Sequence, residues 1–312
     1  MGDPQLARNR SGRLTAMPGR PTTPPLPASR RAVLAGTAAL LLAARPAAAR
    51  PLDEVTARGR LRVAVYRDFP PFSYRRDGEL AGIDTELARL LARKLGVGIE
   101  ILEHTAGETV SDDLRIAVWK GSVLGGEPAD VMMHVPYDRE FGRRNAEAVL
   151  FAPYQRERFA IARNPERLPA GPLSALPENL ADGERIGVEI DTVPDVFLLG
   201  AFGGRLRDRA AHFPTVTGAV AALTAGDVAA VLAPLSALEA ALGATRGAFP
   251  VQASGLPGLP GDGWDIGMAV KENARDLAYA LTDIVGELEA DGSLAALFAR
   301  HGVTHSPAEA NQ

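Results

Sequence analysis

Residues 61–97 read LRVAVYRDFPPFSYRRDGELAGIDTELARLLARKLGV. The apolar, β-branched run LRVAVY has the composition of a buried strand. It ends on DFPPFSY at 68–74, a turn with two prolines and three aromatics in seven positions. Residues 84–95 then place Leu87, Leu90, Leu91 and Leu95 on one helical face, with Asp84 as the expected N-cap and Gly96 just past the end. A strand, a stiff turn and an amphipathic helix in this order open a βαβ unit. The turn itself reads in two ways, as a plug over a core or as a surface that grips a ligand.

Outward from this stretch the same rhythm continues. Strands are expected at 98–102, 130–135 and 157–162, with a helix at 112–120. Residues 164–183 then hold four prolines and mark a boundary. Beyond it the rhythm restarts, with strands at 185–188, 210–213 and 228–233 and helices near 194–202 and 217–225. A second turn-rich stretch, SGLPGLPGDG at 254–263, precedes a strand at 264–270 and helices at 274–290 and 293–300. The fold class is therefore α/β, with two lobes, the second inserted into the first. Residues 50–160 and 265–303 form the first lobe, 161–264 the second and 304–312 a C-terminal tail. Two crossings, near 159–162 and 266–270, make a hinge beside an interlobe cleft.

Residues 1–49 read as an export signal rather than as part of the fold. Arg30 and Arg31 precede an apolar run of 13 residues, and Ala47-Ala48-Ala49 offers small side chains for cleavage near Ala49. Such a run is too short for a bilayer core, which takes ~20 residues. The arginine pair suggests the twin-arginine type. The chain has no cysteine, hence no disulfide and no lipoprotein anchor. Residues 1–49 hold seven arginines and one aspartate, so the remainder carries 27 basic and 37 acidic residues, a net charge near −10. That surface disfavours nucleic acid and anionic membrane as partners. His104, His134, His212, His301 and His305 show no metal spacing, and no cofactor is expected. Glu108, Asp112 and Asp113 are an acidic group that suits either a hard cation or a solvated helix start.

The opening stretch resembles that of the family 3 periplasmic solute-binding proteins: a strand, D-Y-P-P-F, a hairpin, G-F-D and an amphipathic helix. Asp130-Val131, Tyr137-Asp138-Arg139 and Phe151-Ala152-Pro153-Tyr154 are similar to that family's D-V, T-P-E-R and F-S-x-P-Y segments. Residues 287–294, ELEADGSL, are similar to its closing L-x-x-D-G-x-L. The resemblance spans roughly 58–303. It implies a two-lobed periplasmic-binding fold, a periplasmic location and a non-catalytic receptor. Such a receptor acts as a monomer, closes on a small polar or anionic solute and passes it to the membrane permease of an ABC-type importer. It implies Arg139 as the partner of a solute carboxylate, a task suited to a guanidinium fork. It also implies a Gly-Thr pair where this chain has Asp191-Thr192, and an acid after the strand near 228–233 that takes the solute ammonium. Here Ala233-Pro234 stands in that acid's place.

Ligands of open α/β sheets bind beyond the carboxyl ends of strands, where DFPPFSY lies. Phe69 is therefore assigned to the cleft and Phe72 to the lobe core. Tyr66, His134, Arg139, Asp191 and Thr192 complete the ligand-binding set, with His134 reading equally as a hydrogen-bonded wall. Trp119 and Trp264 are expected to pack. One alternative is an accessory protein of a periplasmic quinoprotein alcohol dehydrogenase, because Trp119-Lys120-Gly121 and Val135-Pro136 resemble relatives found beside such enzymes. Another is a dehydratase on the same scaffold, with His134 or Asp191 as general acid. No Ser-His-Asp, Cys-His or phosphate-cradling pattern supports catalysis.

Overall fold

The computed structural model describes residues 51–309 apart from 123–124, 254, 257 and 260–262. The expected export signal lies outside the described residues. Helix α1 (Leu52–Arg58) leads into β1 (Arg60–Tyr66), and the hairpin β2 (Tyr74–Arg76) and β3 (Glu79–Ala81) precedes α2 (Ile83–Lys94). Next come β4 (Gly98–His104), α3 (Val110–Leu114), β5 (Val131–Pro136), α4 (Arg139–Arg144) and β6 (Ala148–Glu157). Then follow β7 (Phe159–Arg163), α5 (Leu176–Asn179), β8 (Ile186–Glu189), α6 (Val193–Gly200), β9 (Ala210–Phe213) and α7 (Val216–Ala225). The last elements are β10 (Ala230–Pro234), α8 (Leu235–Leu242), β11 (Val251–Ala253), β12 (Trp264–Lys271), α9 (Arg275–Ala290) and α10 (Ser293–Arg300).

Two five-stranded sheets result. The first has the order β4-β1-β5-β12-β6, with β1 parallel to β4 and β5 and with β12 antiparallel to both its neighbours. The second has the order β11-β7-β10-β8-β9, parallel among β10, β8 and β9 and antiparallel at β7 and β11. One face of the first sheet packs against α2, α9 and α10 through Leu87, Leu91, Leu281 and Phe298, all of them buried. The second sheet has apolar clusters around Ile161, Ile186 and Leu232 and around Val220, Val231 and Leu238. The chain passes from one sheet to the other at Arg158 and returns between β11 and β12. The segments 159–162 and 266–270, expected as crossings, are strand interiors, because their backbone groups are used in the sheet ladders.

The helix at 84–95 starts one residue early, and Asp84 is not its cap. Gly82 holds the cap position, while the carbonyls of Pro71 and Phe72 accept from the N–H groups of Ile83 (3.0 Å) and Asp84 (2.8 Å). The DFPPFSY turn thus supplies acceptors for donors that a helix start leaves unpaired. Gly82 has φ +115°, and a Cβ there would sit 2.3 Å from the Phe72 carbonyl oxygen, so only glycine permits this approach. Asp84, with a side chain closed to solvent, points inward instead. The helix expected at 112–120 is α3 followed by a π-helical stretch, Arg115–Lys120. Among the described residues no helix is long and apolar enough to cross a membrane.

Candidate functional site

Two hollows meet at the ends of β1 and β5. The first, about 260 Å³, is walled by both sheets: Phe69, Phe72 and His134 come from one side, and Glu189, Thr192, Val193, Thr215, Val216 and Pro234 from the other. Glu157, Phe159 and Trp264, at the joint between the sheets, form its floor. The second hollow, about 340 Å³, lies on the first sheet's side and is lined by Tyr66, Arg67, Thr109, Val110 and Asp113. Phe69, His134 and Trp264 line both, so they form the partition between them.

The turn positions this partition. Phe69 donates its N–H to the Ser73 carbonyl (2.7 Å), and the Ser73 hydroxyl donates to the Tyr66 carbonyl (2.6 Å), which pins the turn to the strand end. Phe69 stays 37 % exposed, whereas Phe72 is 3 % exposed and joins the core of the first sheet. The His134 ring lies 4.7 Å from Phe69 and 4.2 Å from Phe72, edge-on to both. Its backbone has φ +59°, a conformation that is uncommon for side-chain-bearing residues and concentrates at functional sites. His134 Nδ1 is 3.2 Å from Asp84 Oδ2, and the Tyr154 hydroxyl donates to Asp84 Oδ1 (2.6 Å). Burial, reinforced by the Asp84 charge, holds the Tyr154 phenol well above its ordinary range. Tyr154, Asp84 and His134 thus form one polar chain that holds Nδ1 of the imidazole toward Asp84.

A second polar chain underlies the other hollow. The Tyr66 hydroxyl donates to Asp113 Oδ2 (2.8 Å), while Asp113 Oδ1 lies 2.7 Å from His104 Nε2 and accepts from the Gly107 N–H at 2.7 Å. Burial works to raise the Asp113 carboxyl, but these bonds outweigh it and hold the group below its usual range. Burial and the neighbouring Asp113 push the Tyr66 phenol far up. Asp113 is therefore neither a solvated helix start nor a spare metal ligand. Among the described residues no group of three or more His, Asp or Glu is placed to hold a metal.

The structure brings Phe69, His134 and Thr192 together around the first hollow and places Tyr66 on the second. Arg139 lies apart. It begins α4 and lines a separate hollow with Tyr137, Arg143 and Arg275, so the carboxylate grip implied by the resemblance is not where the cleft is. Asp191, exposed and with φ +61°, gives its N–H to Asp195 Oδ2 (3.0 Å) and does not line the cavity. Thr192 donates its hydroxyl to the Glu189 carbonyl (2.7 Å). Trp264 packs 4.8 Å from the Phe159 ring, as expected, but also lines both hollows. Trp119 packs against the cluster around Leu114 and Met132. Residues missed by sequence reasoning include Phe159, which opens β7, and Glu157, Glu189 and Thr215, each at the end of a strand or the start of a helix. That position is the common signal of the last three.

Two lobes around such a cleft define a periplasmic-binding-protein fold, and solved structures match it over most of the chain. An ancestral cationic amino acid solute-binding protein aligns with TM-score 0.62 and 19 % identity, over 80 % of this chain and 99 % of its own. An amino acid ABC transporter substrate-binding protein from Streptococcus pneumoniae, solved with L-arginine, aligns with TM-score 0.55 and 20 % identity, over 82 % and 99 %. At these identities the likeness is one of fold. In sequence, residues 61–115 match the profile of bacterial extracellular solute-binding proteins, family 3. Over that segment the chain is similar to the family 3 solute-binding proteins, and the fold agrees with that likeness. A protein of Sinorhizobium fredii, named a probable amino-acid ABC transporter periplasmic-binding protein, is 36 % identical over 78 residues. That match spans 25 % of this chain and 26 % of the relative. None of these matches involves a quinoprotein dehydrogenase.

Proposed function

We propose that the chain is the periplasmic receptor of an ABC-type amino-acid importer and holds its solute in the hollow between the two sheets. The observation that carries this reading is the composition of that hollow. Its first-sheet wall is aromatic, from Phe69 and Phe72, while the first turns of α6 and α7 line it from the other side through Thr192, Val193, Thr215 and Val216. Helix starts offer unpaired N–H groups and the positive end of the helix dipole to an anionic group. They thereby replace the guanidinium that Arg139 does not bring. At about 260 Å³ the cavity is below the ~300–1,000 Å³ typical of drug-sized ligands, which suits a solute of amino-acid size. Lining carboxylates at Asp68, Glu157 and Glu189, with no lysine or arginine among the lining residues, make a purely anionic solute a poor fit. The names of the sequence relative and of the two solved proteins, all amino-acid binders, support the same class.

The test is a melting-temperature screen of the purified mature protein against the twenty amino acids, followed by calorimetry. A solute present at 100 times its dissociation constant is expected to stabilise by about 2.7 kcal/mol. If no amino acid moves the melting temperature, the reading is wrong.

A further inference from the structure

We propose that Glu157, at the joint between the two sheets, holds the ammonium group of the solute. This extends the amino-acid reading above, although the geometry behind it is independent of that reading. The chain has Ala233-Pro234 after β10, where the resemblance implies an acid. In the structure a carboxyl group reaches that very place from another strand. Glu157 ends β6, its Oε1 accepts from the Arg158 N–H (2.9 Å) and lies 3.4 Å from the Ser236 N–H, and the Leu235 N–H donates to the Arg158 carbonyl (2.8 Å). The carboxyl thus sits against the end of β10 and the first turn of α8.

Its other oxygen, Oε2, is buried and has no hydrogen-bond partner among the described residues, although Glu157 is 2 % exposed and lines the cavity. The Ser236 hydroxyl, also buried, lies close enough to the carboxylate to favour its charged form. Buried polar atoms are almost always bonded, so a carboxylate oxygen left vacant on a residue that lines a cavity points to a donor that arrives from outside. An ammonium brings three donors and no acceptor, which matches a vacant carboxylate oxygen and its charge. A metal ion would need clustered ligands that this site does not have. The titratable groups facing the same cavity are His134 from β5, Asp68 from the turn after β1 and Glu189 from β8; Arg158 does not line it. Burial raises the Glu157 carboxyl above its ordinary value, against the bonds from Arg158 and Ser236 and the charge of His134. A bound cation favours the ionised form, so binding should release a proton and weaken as the pH falls.

The experiment compares the mature protein with E157Q by calorimetry, using the twenty amino acids, their des-amino acids and simple alkyl amines. E157Q is expected to weaken binding of the cognate amino acid by roughly 10- to 100-fold. Its des-amino analogue, binding far more weakly to the parent protein, should be little affected. Equal binding of the amino acid by both proteins would overturn the role of Glu157 and leave the amino-acid reading standing. Binding of amines but of no amino acid, lost in E157Q, would uphold Glu157 and overturn the amino-acid reading. A protein that binds none of the three classes refutes both. Should E157Q fail to fold, proton release by the parent protein decides. Binding heats that vary with buffer ionisation enthalpy at some pH between about 5 and 8 support the proposal, and heats invariant across that range overturn it.

Discussion

Phe69 and Phe72 stand three residues apart on one turn and answer to different forces. Phe72 is held by the core of the first sheet, so Phe72→Ala should cost about 3–5 kcal/mol in denaturant unfolding, as truncation of a buried aromatic does. Phe69 keeps over a third of its surface in the cleft. Phe69→Ala should therefore cost less than ~1.5 kcal/mol of stability while weakening solute binding by about tenfold. Equal losses of stability in the two variants would show that the turn is purely structural. The difference in burial was legible in the sequence, whereas the place of Phe72 on the wall of the same hollow was not. Asp84 and Glu157 were not legible. An acid just before an apolar helical period looks like a cap, and only the arrival of Tyr154 and His134 from β6 and β5 draws Asp84 inward. Glu157 belongs locally to a strand end; its significance comes from β10 and α8, about 80 residues further along the chain.

At the scale of elements, β1, α2 and the closing helices α9 and α10 follow from periodicity within a residue or two, because each has one apolar face against one sheet. Strand β6 was harder to see. Its ten residues include Pro153, and seven of them are buried, five in a row, which hides the alternation of a half-exposed strand. The short α8 and β11 were missed for a related reason: Pro234 and Pro250 look like loop, yet each borders an element. The contact between the DFPPFSY turn and α2 carries its own prediction. Gly82→Ala places a Cβ against the Phe72 carbonyl at a backbone angle that alanine resists. The variant should lose at least about 1–3 kcal/mol, measured by chemical denaturation. It should also bind solute more weakly, since Phe69 and Phe72 ride on the displaced turn. An unchanged denaturation midpoint would contradict the geometry.

At the scale of the whole molecule, the two-sheet plan was legible from the proline-rich stretches, whereas the side chains at the joint were not, since they come together only when both crossings are in place. Strand β12 lies between β5 and β6, and apart from it those two strands have no direct pairing. A chain ending at residue 263 should therefore leave β5 and β6 with open edges, and its circular dichroism should show no cooperative melting of the first sheet. Cooperative melting equal to that of the full chain would disprove this. The arrangement sets an order of events. Strands β4, β1 and β5 can pair as they are made, but β6 finds its partner only once the whole second lobe has been synthesised and β12 slides in beside it. Any nascent or broken chain lacking β12 displays two unsatisfied strand edges, the kind of surface that chaperones and proteases read, and so only a chain that carries β12 escapes their attention.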